Sequence, residues 1–327
     1  MNSKFPYCDL CQSKEVEFLF SNEDRMFPEM EGSFNLLKCK ECGLIFVYPQ
    51  PSFNILTNHY PDNYSVFDEG KIKHFRKVFT LIEMLYQYCN VRSDQSIFFR
   101  LINLLLVPFS PMFRTISLVE NGNFLDVGCG IGYFPLVMKY LGMNAYGVEP
   151  GKIDRELSEQ YNLDITTGTL LEAKYNDNFF DLITLNHVLE HVDNPSEIMK
   201  ELHRILKPNG FLVIATPISD SLAFKIFGKY WAQLDSPRHL FLFSTSVLKK
   251  YSEKYGFDII KIRYNSTPSF QFISSIIYFL EDKRKKRCNR SLVQNPLLNL
   301  FFLPLTLVLN LIKRGDQCEF VMVKTEI

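Results

Sequence analysis

The sequence predicts an α/β protein with an open sheet and a small metal-held module at its amino terminus. Three observations carry this. Residues 123–150 read as strand, tight turn, helix and strand in succession. Two further apolar runs, Asp181 to Leu185 and Phe211 to Ala215, read as buried strands. Two Cys-x-x-Cys pairs precede all of this, within the first 42 residues.

The unit at 123–150 begins with the apolar strand Phe124-Leu125-Asp126-Val127. Gly128, Gly130 and Gly132 follow, as a loop needs when bare backbone must approach a ligand. The helix runs to Leu141, with Pro135 tolerated in its first turn and Gly142 as its stop. Amides at that helix start favour an anionic group. The second strand ends in Glu149, 23 residues after Asp126, where a carboxylate can accept hydrogen bonds from ribose hydroxyls. The spacing is Gly-x-Gly-x-Gly after an acid, not the dinucleotide Gly-x-Gly-x-x-Gly, which favours a cationic or zwitterionic ligand over a pyrophosphate.

Leu125-Asp126-Val127-Gly128-Cys129-Gly130-Ile131-Gly132 resembles the first motif of the class I S-adenosylmethionine-dependent methyltransferases. The resemblance continues at Phe180-Asp181-Leu182-Ile183-Thr184-Leu185-Asn186-His187-Val188-Leu189-Glu190-His191-Val192 and at Leu206-Lys207-Pro208-Asn209-Gly210-Phe211-Leu212-Val213-Ile214-Ala215-Thr216-Pro217. It covers about residues 120–265. It implies a Rossmann-like seven-stranded sheet, with Phe257 to Tyr264 and Cys318 to Thr325 as an antiparallel edge hairpin. It also implies S-adenosylmethionine as cofactor. Asp126 would orient the glycine loop and face the methionine ammonium, and the amides around Gly128, Cys129, Gly130 and Gly132 would meet the carboxyl end. Glu149 would bind the ribose. The backbone of Thr169 and Leu170 would lie against the adenine, although Thr169 stands where the family often has an acid. Asn186 and His187 fall at the carboxyl end of the fourth strand, where open α/β sheets place ligands. On a short helix His187 and His191 would share a face. That spacing reads as cofactor-loop orientation or packing rather than as a metal pair, since no third ligand is evident.

After the fifth strand comes Tyr230-Trp231-Ala232-Gln233-Leu234-Asp235-Ser236-Pro237-Arg238-His239-Leu240, and a similar Pro-x-His-Leu segment closes over the substrate in related methyltransferases. His239 is the candidate general base, because neutral imidazole takes a proton near neutral pH; the alternative is a histidine that braces the loop. Arg238 reads either as a bidentate holder of a substrate phosphate or carboxylate or as a surface salt bridge.

Cys8-Asp9-Leu10-Cys11 and Cys39-Lys40-Glu41-Cys42-Gly43, 27 residues apart, have the spacing of a four-cysteine zinc site, structural because no position is left for water or substrate. The domain plan is a zinc ribbon at 1–51, a helical connector and substrate cap at 52–118, and the methyltransferase domain at 119–327 with a helical insertion at about 266–314. Tyrosines in the connector read as packing or as substrate contacts.

A formal net charge of zero supplies no field to recruit nucleic acid, and the acidic residues between Glu15 and Glu31 argue against an RNA-binding ribbon. The start, Met1-Asn2-Ser3-Lys4-Phe5-Pro6, shows no secretory signal, so a cytoplasmic, reducing setting is expected. The insertion carries Phe270 to Leu280, the basic cluster Lys283-Arg284-Lys285-Lys286-Arg287 and the apolar Pro296 to Ile312. A membrane crossing there would put the last strand on the wrong side of the bilayer. Two readings remain for 270–312: a lid over the substrate, or a peripheral element at the inner membrane face with its cations at anionic headgroups.

The acceptor implied by the resemblance is a small molecule or glycan, foremost a nucleotide- or lipid-linked sugar methylated on oxygen. A quinone or other lipid phenol is the enzymatic alternative, and a non-catalytic cofactor-binding or interaction protein the alternative of another class.

Overall fold

The computed structural model describes residues 6–60, 96–98, 119, 121–151, 158–159 and 161–325. Most of the expected connector, with Tyr64, Cys89 and the helical patterns from Phe75 to Tyr88 and Ile97 to Val107, lies outside them, as does most of the helix expected from Lys152.

The chain opens with β1 (Val16–Asn22), β2 (Phe34–Cys39), β3 (Ile45–Val47) and the short helix α1 (Phe53–Asn58). The central layer follows as β4 (Asn123–Val127), α2 (Tyr133–Tyr140), β5 (Asn144–Glu149), β6 (Asp164–Thr167), α3 (Leu170–Ala173), β7 (Phe180–Asn186), α4 (Pro195–Ile205) and β8 (Leu206–Pro217). Then come α5 (Leu222–Phe227), β9 (Phe241–Leu242), α6 (Thr245–Lys254) and β10 (Phe257–Tyr264). The insertion supplies α7 (Ser275–Arg284) and α8 (Pro296–Leu311) before the last strand, β11 (Gln317–Lys324).

Seven strands form one sheet in the order β10-β11-β8-β7-β4-β5-β6. The pairs β4·β5, β4·β7, β5·β6 and β7·β8 are parallel. β11 runs antiparallel to both neighbours, inserted between β8 and β10. Phe124, Leu125, Leu182, Ile183, Leu212 and Ile214 are fully buried. Such unbroken apolar runs suit strands buried on both faces, not strands with one wet side. Strand order reverses at β4, whose neighbours are β5 and β7, so the crevice for a ligand lies beyond the carboxyl ends of β4 and β7.

The amino-terminal hairpins are part of the same body. β9 adds antiparallel to β3, pairing Ile45 with Leu242, so the segment after β8 extends the amino-terminal sheet. Asp9 ties the module to two helices: its Oδ2 accepts from the Ser196 amide at 3.1 Å and hydroxyl at 2.7 Å, and from Tyr251 OH at 2.6 Å.

Candidate active site

At the end of β4, Gly128, Gly130 and Gly132 have φ of 67°, 56° and 82°. These are left-handed values that a side chain resists. Space gives a second reason. A Cβ on Gly128 would collide with Val188, and one on Gly132 with Ile165. The loop's amides are largely turned inward: Gly128 and Cys129 donate to Val148 O, Gly132 to Cys129 O, and Gly130 to Glu149 Oε2 at 2.8 Å. The expectation that these amides greet a ligand is thus narrowed. The loop offers a ligand close approach, and its own hydrogen bonds hold its shape. The Cys129 side chain points into the fold, its Sγ 2.7 Å from where a Cβ on Gly147 would stand.

Asp126 is 1% exposed and accepts from Thr184 Oγ1 of β7 at 2.6 Å. Its carboxylate joins the two strands that flank the crevice. Glu149, 8% exposed, accepts from Gly130 N at 2.8 Å and Gly151 N at 2.7 Å. Burial raises its pKa, the two amides oppose that, and the Asp126 charge adds to the rise. Each carboxylate oxygen has a further lone pair for a ribose hydroxyl.

Thr169 departs from its expected role. Its hydroxyl accepts from Glu172 N, and its own amide donates to Glu172 Oε2 at 2.8 Å, closing a capping box on α3. That amide is committed to the cap, and the Leu170 side chain is buried in the core.

Opposite the glycine loop the chain turns sharply instead of forming a helix at Leu189-Glu190-His191. His187 takes φ 55°, and its ring lies between Glu190 Oε1 at 3.1 Å and Gln317 Nε2 at 2.6 Å. His191 therefore does not share a face with His187. Its Nδ1 lies 3.0 Å from Arg238 O and 3.1 Å from Tyr60 OH, and its ring meets His239 edge-on with centroids 4.6 Å apart. His239 is buried, its Nδ1 2.8 Å from Gln233 O. A carbonyl can only accept, so each Nδ1 is the donor and each neutral ring keeps its lone pair on Nε2.

Glu190 underlies the pair. It is 1% exposed, its Oε2 accepts from Thr216 Oγ1 at 2.9 Å, and its main-chain carbonyl accepts from Leu240 N and Phe241 N. Burial works to raise its pKa, but the His187 hydrogen bond and the surrounding imidazoles outweigh burial and hold it at about 2. Burial, aided by His239, lowers His191 to about 4, against the pull of Glu190. Glu190, His191 and His239 bring ligand atoms within 4.8 Å of one another, so a third group stands beside His191 that sequence spacing did not reveal. Both Glu190 oxygens are already engaged, which leaves the imidazoles to handle a proton.

Arg238 follows neither expectation. It is 1% exposed and neither faces a substrate nor sits on the surface. Its guanidinium bonds Asp24 at 2.7 and 2.9 Å, Asp235 at 2.6 and 3.0 Å, and His59 O at 2.8 Å. Burial works against its charge, but Asp235 and Asp24 raise its pKa above the ordinary value. The network fastens the His239 loop to the amino-terminal module. Tyr60 closes the same side beside His191, and burial, then the Asp235 charge, raise its pKa.

In the amino-terminal module, Cys8 Sγ lies 3.4 Å from Cys42 Sγ and Cys11 Sγ 3.5 Å from Cys39 Sγ, all four within 4.8 Å. Thiolates around a tetrahedral zinc stand about 3.8 Å apart, so the donor set fits Zn2+.

Two curated relatives set these features in context. The chain is 29% identical over 101 residues to the ubiquinone biosynthesis O-methyltransferase of Pseudomonas aeruginosa, covering 28% of this chain and 43% of that protein. It is 31% identical over 113 residues to the mitochondrial ubiquinone biosynthesis O-methyltransferase of Schizosaccharomyces pombe, covering 32% and 41%. The chain thus spans about two fifths of the length of each. Among solved structures, a SAM-dependent methyltransferase from Archaeoglobus fulgidus aligns with a TM-score of 0.42 at 18% identity, over 69% of this chain and 94% of that one. The relatives' names fit the lipid-phenol alternative and not the expected sugar acceptor. The family model for the methyltransferase domain matches residues 99–262, half of the chain, and the protein belongs to that family.

Proposed function

We propose that the protein transfers a methyl group from S-adenosylmethionine to a hydroxyl of a small acceptor, a phenol on an apolar tail being the class best supported by its relatives. The observation that carries this is the buried His191 and His239 pair, two imidazoles 4.6 Å apart whose Nδ1 atoms are held by main-chain carbonyls. The cofactor supplies a methyl carbon on a sulfonium, an activated leaving group that departs as the neutral thioether when the acceptor oxygen bonds that carbon. His239 takes the hydroxyl proton, with neutral His191 packed edge-on against it. Gln233 O and Arg238 O fix both rings, and Glu190 stabilises the single positive charge that results. The glycine loop admits the methionine portion, Asp126 and Glu149 hold the loop and ribose sides, and Asn186 and His187 border the crevice at the end of β7. Alignment of oxygen and methyl carbon supplies most of the rate.

Zinc held by Cys8, Cys11, Cys39 and Cys42 would be structural, fixing the module to which Arg238 ties the histidine loop. The reaction takes place at or near the cytoplasmic face of a membrane in this reading, where an apolar-tailed acceptor resides.

The test is methyl transfer from radiolabelled S-adenosylmethionine to a prenylated catechol and, separately, to nucleotide sugars. Turnover of the catechol, lowered about 100-fold or more by His239→Ala or His191→Ala with unchanged cofactor affinity, is expected. Full activity in both variants would remove the base assignment, and turnover of sugars alone would reinstate the glycan acceptor.

A further inference from the structure

Helix α8 leaves a broad apolar face exposed. Toward the protein it turns Thr306 and Leu309, both buried, and two asparagines that satisfy neighbouring backbone and side chains. Asn299 Oδ1 accepts from Ser269 Oγ at 2.6 Å, and its Nδ2 donates to Val293 O at 2.8 Å. Asn310 accepts from Ser266 N at 3.2 Å and donates to Ser266 O at 3.1 Å. Outward stand Leu297, Leu300, Phe301, Leu305, Val308 and Leu311, 46% to 81% exposed, with Ile312 just beyond the helix at 59%. At 3.6 residues per turn these seven fall within an arc of about 140°. No charged residue interrupts them. A helix against water shows the opposite arrangement.

Cations bracket this stripe. Lys283, Arg284, Lys285, Lys286 and Arg287, all exposed, precede the helix, and exposed Lys313 and Arg314 follow it. The helix is about 24 Å long at 1.5 Å per residue, less than the thickness of a hydrocarbon core. Among the described residues no helix is long and apolar enough to cross a membrane.

We propose that the outer face of α8 docks in the plane of an anionic lipid bilayer, its apolar stripe in the acyl boundary and the flanking lysines and arginines at the headgroups. An apolar stripe with exposed cations before and after it fits that surface; Arg287 is paired with Glu29, and a protein partner of ordinary composition would leave the other cations unmatched. The two halves of the insertion then differ in role. α7 and the turn before it pack on the histidine loop, with Ser275 Oγ accepting from Ala232 N at 3.0 Å and Tyr230 OH bonded to Asp282. α8 packs on that turn and on β10. The docking surface stands on these exposures and charges and not on methyl transfer.

The experiment is sedimentation of the full chain with vesicles of phosphatidylcholine mixed with phosphatidylglycerol and with phosphatidylcholine alone, alongside its mass in solution by light scattering. Binding to the anionic vesicles, weakened by salt, is expected. Leu300→Asp with Phe301→Asp should abolish it, and Lys285→Ala with Lys286→Ala should weaken it about tenfold or more. Both pairs lie on exposed surface, so the melting temperature should stay at the parent value. Absence of binding, or binding that both double variants retain, would overturn the proposal. So would a dimer that the Leu300→Asp, Phe301→Asp pair dissolves, because a second copy would then be the occupant.

Discussion

In the glycine half of the crevice, Gly130 reaches a carboxylate 19 residues along the chain, and Asp126 reaches the neighbouring strand. In the histidine half, Tyr60 meets His191 across 131 residues, and Arg238 meets Asp24 across 214. The first half is built from one strand, its loop and the two strands beside it. The second exists only when the amino-terminal module, the β7 turn and the loop after β8 have come together. Cofactor binding and proton handling should therefore fail separately.

Four substitutions test that separation, in descending order of effect. Arg238→Ala leaves the carboxylates of Asp24 and Asp235 buried without their cation. It should cost about 3–5 kcal/mol of stability, read as a fall in denaturation midpoint. Where the variant stays folded, turnover should collapse while cofactor affinity changes little. If affinity fell in step with turnover, the two halves would not be separable.

Gly128→Ala puts a Cβ at φ 67° against Val188. It should cost about 1–3 kcal/mol of local strain and weaken cofactor binding at least tenfold, with the histidine loop intact by its response to pH. Binding at parental affinity would mean that the loop's close approach is not what admits the ligand.

Acid should weaken the histidine half. Folded His191 accepts its proton only near pH 4, against an ordinary 6.5, so the unfolded chain binds more protons between those values. Stability contributed by the neutral, buried ring is complete above pH 6.5 and is lost as pH falls toward 4. His191→Gln should flatten the dependence of the midpoint across that window. A slope identical to the parent's would assign the acid sensitivity elsewhere.

Thr169→Ala removes a helix cap and should cost about 1 kcal/mol, with cofactor affinity barely altered. A large loss of affinity would return Thr169 to the adenine site.

The same contrast explains what is legible in the sequence. Asp126, Gly128, Gly130, Gly132 and Glu149 fall at fixed local spacing, because each strand-loop-helix unit determines its own geometry. The order of strands about β4 follows from the motifs it carries. His239 and Tyr60 give no local sign of meeting His191, since their contacts depend on tertiary closure. Arg238 misleads for a related reason: a lone arginine beside a histidine looks like a ligand holder until Asp24 arrives from the far end of the chain. The turn at His187 is hidden because a four-residue spacing suggests a helix, whereas the φ of 55° there is set by Glu190 and Gln317 on either side of the ring.

Cofactor binding and its independence from the histidine loop are read by calorimetric titration of S-adenosylmethionine into the full chain, into Glu149→Ala and into His239→Ala. One molecule should bind per parent chain, Glu149→Ala should bind at least tenfold more weakly, and His239→Ala should bind like the parent. Absence of binding by the parent chain, or equal binding by all three, would contradict the account.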